Sequence, residues 1–189
     1  MTQQGKNAID LVLAESLIEL SAKKPIDKIT IKEITDKAGV IRPTFYNHFQ
    51  DSYELIEWII KSELLEPIKP LLNAGMIFEA IVLMLNNISA NSVFYKKALK
   101  LEGAVTFNQI AMKCVYEMFM NIINEKSTGK KSKYRWLTPE VISTYYAQSL
   151  CFITEGWIDQ GMDDIEPKEM AEAYMYLITR SMDDILSEL

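Results

Sequence analysis

Residues 29–55 read ITIKEITDKAGVIRPTFYNHFQDSYEL, and this stretch decides the fold. Lys28-Ile29-Thr30-Ile31 alternates like a short strand, but the local chemistry is that of a helix start. Thr30 and Glu33 are spaced as a capping box, and Ile29 and Ile34 as a hydrophobic staple. A helix is predicted from Ile31 to Ala38, with Gly39 free to take the left-handed turn that ends it. A second helix follows over Arg42–His48, with Pro43 in its first turn, where a missing N–H costs little. Ile31, Ile34 and Ala38 of the first helix pack inward, as do Phe45 and Phe49 of the second. Arg42, Pro43, Thr44, Tyr46, Asn47 and His48 are left facing out. A short exposed helix with this set suits the DNA major groove. Arg42 can pair with guanine acceptors or phosphate, while Thr44, Tyr46 and His48 can donate to phosphate oxygens.

Working outward, Ile9, Val12, Leu13, Leu17 and Leu20 recur at helical steps and place a helix before the motif. Asp51 caps a fourth helix, with Glu54 three residues on, and Pro67 and Pro70 end it. Five more helices are expected near Ala74–Ala90, Ser92–Leu101, Ala104–Glu125, Pro139–Gln160 and Pro167–Ser187. The fold class is therefore all-α: a three-helix head over residues 1–50 and a larger body over residues 51–189, about nine helices in all.

Composition narrows the function. The chain has 189 residues, 49% apolar and 24% charged, enough to bury a core. The longest uncharged stretch, Ala80 to Tyr95, is too short and too polar to span a bilayer. The first ten residues lack the apolar core of a secretory signal, so a cytoplasmic location is expected and no membrane partner. Residues 1–50 carry a net charge of +1 and residues 51–189 one of −7. A near-neutral head on an acidic body can still present a basic face locally. A second basic cluster, Lys126, Lys130, Lys131, Lys133 and Arg135, reads as a solvated mobile loop beside Ser127, Thr128 and Gly129. The two cysteines, Cys114 and Cys151, stand alone in apolar patterns and read as buried thiols. One histidine and no Cys-x-x-Cys pair leave no metal cluster. No Gly-rich phosphate loop is present either. No cofactor, no metal and no catalytic residue are expected, and the chain reads as other than an enzyme.

The 29–55 segment resembles the helix-turn-helix of TetR-family transcriptional regulators. The resemblance rests on Thr30-Ile31-Lys32-Glu33-Ile34, on Ala38-Gly39-Val40, and on Thr44-Phe45-Tyr46 followed by His48-Phe49. It covers about 30 residues, and the remainder is similar in architecture. The run from Thr44 to Leu55 is also similar to regulators of dihydroxyacetone kinase operons, some of which act with a partner protein. What the resemblance implies is a homodimer on a palindromic double-stranded DNA operator, most often a repressor, released by a small-molecule effector. The alternative is a co-regulator whose fold binds a protein partner. Arg42 and Pro43 sit where relatives touch bases, and Thr44, Tyr46 and His48 where they touch the backbone. Thr30 sits at a common phosphate contact. Three positions depart from the pattern: Ile41 stands where a capping Ser or Thr is usual, Ser52 where a lysine is usual, and Thr35 where an alanine is usual.

Two further sites are read from the body. Phe78, Met84, Phe107, Met112 and Tyr116 serve either a plain core or an adaptable ligand pocket. Val141 to Thr154 is uncharged, and its apolar residues lie all round a helix, so it is buried on more than one side. Gly156 allows close approach by another helix. With the stripe Met170, Ala173, Tyr174, Leu177, Ile178, Met182 and Ile185, this gives either a larger monomer core or a four-helix dimer seam. The seam residues would be Tyr145, Phe152, Gly156, Tyr174 and Ile178.

Overall fold

The computed structural model describes residues 3–126 and 132–188. Among them are eleven α-helices, one short 3-10 turn, one π-helical stretch and no strand. The head comprises α1 (Gln3–Ser21), α2 (Ile31–Ala38) and α3 (Arg42–Tyr46). The body comprises α4 (Ser52–Ile59), α5 (Lys69–Asn73), α6 (Ile77–Ala90), α7 (Ser92–Ala98), α8 (Phe107–Lys126), α9 (Pro139–Asp159), α10 (Pro167–Thr179) and α11 (Met182–Glu188). The all-α expectation holds. Lys130 and Lys131 of the basic cluster, with Ser127, Thr128 and Gly129, lie outside the described residues.

The head is built on α1. Asp10, Leu13, Ala14, Leu17 and Ser21 form its buried face, at steps of three and four. Val12 lies off that face and is 40% exposed, against the expected stripe. α1 packs on α2 and on α4, and α2 packs on α3. Leu13, Leu17, Ile34, Phe45, Leu55, Ile56 and Ile59 are fully covered. Ile31 and Ala38, expected inward, are only half-buried.

α4 carries the chain from head to body. Past Ile59 its pitch widens into π-helical turns over Ile60–Leu65. Polar groups from α6 and α7 hold that stretch. The Asn87 side chain donates to the Glu63 carbonyl at 2.8 Å. Asn91 and the Tyr95 hydroxyl donate to the Glu63 carboxylate at 3.1 and 3.4 Å. An ion-pair network ties α4 to α8: Lys61 meets Glu57 and Glu117, and Lys113 meets Glu57, at 2.7 to 2.8 Å. α8 lies along α9, α10 along α6, and α7 touches both α1 and α9.

Two helices exceed the nine expected, for local reasons. Pro70 sits in the first turn of the short α5, and Gly75, at φ +77°, ends the turn that follows. The last expected helix is broken at Arg180, whose backbone is extended at φ −105°, ψ 151°. Ser181 and Asp184 then cap each other reciprocally, each side chain accepting from the other's N–H at 3.2 Å, and start α11. Met182, expected on the stripe, is 70% exposed. No single helix among the described residues is long and apolar enough to cross a membrane.

Candidate functional site

The turn between α2 and α3 is fixed by two caps of unequal quality. At the start of α2 the Thr30 hydroxyl accepts from the Glu33 N–H at 3.3 Å and donates to the Glu33 carboxylate at 2.8 Å. That carboxylate also accepts from the Thr30 N–H at 2.9 Å and from Lys24 at 2.6 Å. Lys24 and Thr30 together hold the Glu33 carboxyl down to about 2. Gly39 ends α2 at φ +68°, ψ 27°, and the Val40 N–H donates to the Thr35 carbonyl at 3.0 Å. A side chain there would be strained. α3 starts at Ile41 with no side-chain cap, so the departure from the family pattern is a missing hydrogen bond. Ile41 is 69% exposed, so its side chain packs against little.

Aromatic rings anchor α3. Phe45 is fully covered and meets Phe49 at 5.8 Å between ring centres, and Phe49 meets Trp58 of α4 edge-on at 6.3 Å. The opposite side of α3 is free. Arg42, Pro43, Tyr46 and Asn47 are exposed, and Thr44 is half-exposed. Arg42 and Tyr46 stand one turn apart, and the guanidinium donates to the phenol oxygen at 3.4 Å. These five residues form one exposed ridge, polar at all positions but Pro43.

His48 and Thr30 are placed differently. The His48 side chain is only 2% exposed, and its Nδ1 lies 2.6 Å from the Asp10 carboxylate of α1, itself buried. α3 closes at Tyr46, so the chain turns inward with Phe49 and His48 leaves the outer ridge. It locks the motif to α1 before it can serve any phosphate. Thr30 is exposed, but its hydroxyl is engaged by Glu33 in both directions. Asp10 was missed by sequence reading. Its signal was an acid on the Leu13–Leu17 face of an apolar helix, in a chain with one histidine. Around the motif Lys24, Lys28 and Lys37 pair with Glu33, Asp27 and Glu19. Among the described residues Lys23, Lys32 and Arg42 have no acidic partner.

In the body two chambers adjoin. One, about 50 Å³, lies between the π-helical stretch, α6, α7, α8 and α9. The other, about 370 Å³, lies between α5, α6, α8, α9 and α10. Met84 and Leu150 line both. Of the expected pocket residues, Met84 and Phe107 line a chamber. Phe78, Met112 and Tyr116 line neither; they are half-buried and pack on the core. Their helical spacing was right for burial, but which face met a void depended on the neighbouring helices. Cys114 and Cys151 are buried, and burial pushes both thiols up to about 12.

The seam residues divide as well. Tyr145 and Phe152, two turns apart on α9, are 61% and 75% exposed. Above Gly156, next on that face, a side chain would meet nothing within 4 Å. Tyr174 is 3% exposed, covered within its own chain, and is unavailable to a partner. Ile178 is half-buried and lines the larger chamber.

A helix-turn-helix on a helical body, with an exposed polar ridge on the second motif helix, defines a DNA-binding regulator architecture. Comparison with known proteins agrees. Residues 15–59 match the family described as "Bacterial regulatory proteins, tetR family". Residues 76–180, more than half of the chain, match its "Transcriptional regulator C-terminal region". The chain belongs to the TetR family of transcriptional regulators. It is 26% identical, over 152 residues and 79% of each chain, to the HTH-type dhaKLM operon transcriptional activator DhaS of Lactococcus lactis subsp. lactis (strain IL1403). The fold is similar to that of a solved "Dihydroxyacetone kinase operon activator DhaS". The TM-score is 0.63 at 21% identity, with 90% of this chain and 93% of that chain covered. It is also similar to NalD, the secondary repressor of the MexAB-OprM multidrug efflux pump in Pseudomonas aeruginosa. There the TM-score is 0.59 at 12% identity, covering 92% and 96%.

Proposed function

We propose that this regulator is a homodimer that binds a palindromic operator through α3 and changes operator affinity when its body takes up a small effector. The observation that carries it is the α3 ridge: Arg42, Pro43, Thr44, Tyr46 and Asn47 lie free on a helix whose other side is pinned by Phe45 and Phe49. One short recognition helix reads few bases, so two are needed, about 34–36 Å apart on one face of the duplex. Tyr145 and Phe152 are exposed two turns apart in line on α9, with open space above Gly156 next on that face. They support pairing of two chains, since apolar residues grouped on one exposed face mark a protein contact. The chambers of the body support a ligand. Repression relieved by the effector is the sign adopted. The relative at 26% identity is named an activator, so a reporter placed behind the gene's own upstream DNA is read for both loss and gain of transcription.

The test is fluorescence anisotropy on the gene's own upstream DNA against a scrambled duplex, with sedimentation of the free protein. Expected are a dimer, preferential binding, and a steep loss of affinity with salt. Arg42→Ala, which removes no buried contact, should weaken specific binding by about 1–3 kcal/mol. Equal binding to both duplexes by a monomer, with wild-type behaviour in Arg42→Ala, would overturn the reading and favour the protein-partner alternative.

A further inference from the structure

The chambers constrain what can enter them. No residue lining the larger chamber carries a charge, and its polar groups are Tyr146, Tyr174 and Thr179. An engineered cavity of about 150 Å³ takes a benzene, so about 370 Å³ takes an aromatic ring with a short alkyl chain. The smaller chamber has room for no more than a headgroup, at about 50 Å³. Its walls include one charged residue, Glu155, beside Asn108 and Thr154. The Asn108 side chain donates to one Glu155 oxygen at 2.5 Å and holds the carboxylate in place, while no protein hydrogen bond engages the other oxygen among the described residues. Between the chambers stand Met84 and Leu150. Met84 is unbranched and can swing aside at small cost.

We infer that the two chambers are one effector site for a lipophilic amine, its apolar body in the larger chamber and its protonated nitrogen reaching past Met84 to the Glu155 carboxylate. The inference rests on the proposed role of the body as the effector-binding part. The charge argument decides the class. An anion would lose its water among apolar walls with no cation to meet it and a carboxylate facing it. A neutral compound would fill the larger chamber but leave Glu155 unused. An ammonium head donates a charge-assisted hydrogen bond to the Glu155 oxygen that Asn108 leaves unengaged.

Three near-isosteric probes test this by calorimetry on the full chain: 4-phenylbutylamine, 4-phenylbutanol and 4-phenylbutanoate. The amine should bind at least about tenfold more tightly than the alcohol, and the carboxylate most weakly. Glu155→Gln keeps an acceptor for Asn108 and should remove the amine's advantage while leaving the alcohol's affinity unchanged. Carboxylate binding equal to that of the amine, an amine advantage that survives Glu155→Gln, or no binding by any probe overturns the inference. Operator anisotropy on the same samples separates the two readings. Amine binding that leaves operator affinity unchanged overturns effector control and keeps the site. Specific operator binding without any amine preference keeps the regulator and overturns the site.

Discussion

The head and the body are both helical and both apolar inside, but they use their interiors in opposite ways. In the head Phe45, Ile34, Leu13 and Leu17 are fully covered beneath α3. In the body the helices around Met84 and Leu150 leave a chamber of about 370 Å³. The difference teaches how one chain can read and sense. A reading surface needs its side chains held in place before DNA arrives, so the core under it is dense. The effector site proposed for the body needs room and side chains that move, and its more open packing supplies both. The link is α4, which packs on both α1 and α8.

The comparison is broken most severely from the head. Phe45→Ala should open a cavity under α3 and cost about 3–5 kcal/mol, read by denaturant unfolding. A loss below about 1 kcal/mol would show that the head is not tightly packed. Asp10→Ala should cost about 1–3 kcal/mol, because it leaves the His48 Nδ1 buried without its partner. If His48 were instead an outer phosphate contact, that variant would unfold like the wild type. A gain is expected from Ile41→Ser, about 1 kcal/mol, since it supplies the cap that α3 lacks and gives up little packing. Unchanged thermal stability would mean that the backbone at residue 41 does not let a hydroxyl reach the free N–H groups.

The smallest effect sharpens the body's side. Burial pushes the Glu63 carboxyl above its ordinary value of 4.5, against the hydrogen bonds from Tyr95 and Asn91. The folded chain then keeps a proton that the unfolded chain has released. Stability from this group is therefore lost as pH rises from about 4.5 through the folded value. Glu63→Gln does not titrate, so its stability relative to wild type should rise across that window. The change should stay well under about 1 kcal/mol, because solvent still reaches the carboxyl. A difference that is flat with pH would show that burial does not raise the Glu63 carboxyl.

What could be read in advance follows the same division. The capping box, the Gly39 turn and the Phe45–Phe49 anchor were legible because each depends on residues within about one turn of each other. The bounds of α2 and the start of α3 came out as the spacing required. His48 was misplaced because its partner, Asp10, lies 38 residues away. Tyr174 was misplaced because the stripe on α10 faces α6 of its own chain, which periodicity cannot distinguish from a second chain. The break at Arg180 was visible in principle, since Ser181 and Asp184 have the spacing of a cap, but the apolar stripe ran through it and hid the signal.

The sequence by itself determined the class of structure, the motif, the family resemblance and the polar set on α3. Hydrogen bonds within one turn and a 3.6-residue period are properties of the local chain, and they carry over to any fold that contains them. Only the tertiary structure decided that His48 turns inward, that Met84 and Phe107 line chambers while Phe78, Met112 and Tyr116 do not, and that Glu155 is the charged residue lining the smaller chamber. Those facts depend on which faces of distant helices meet and how well they fill the space between them. Packing is settled by the whole set of neighbours at once, so no single segment of the chain encodes it.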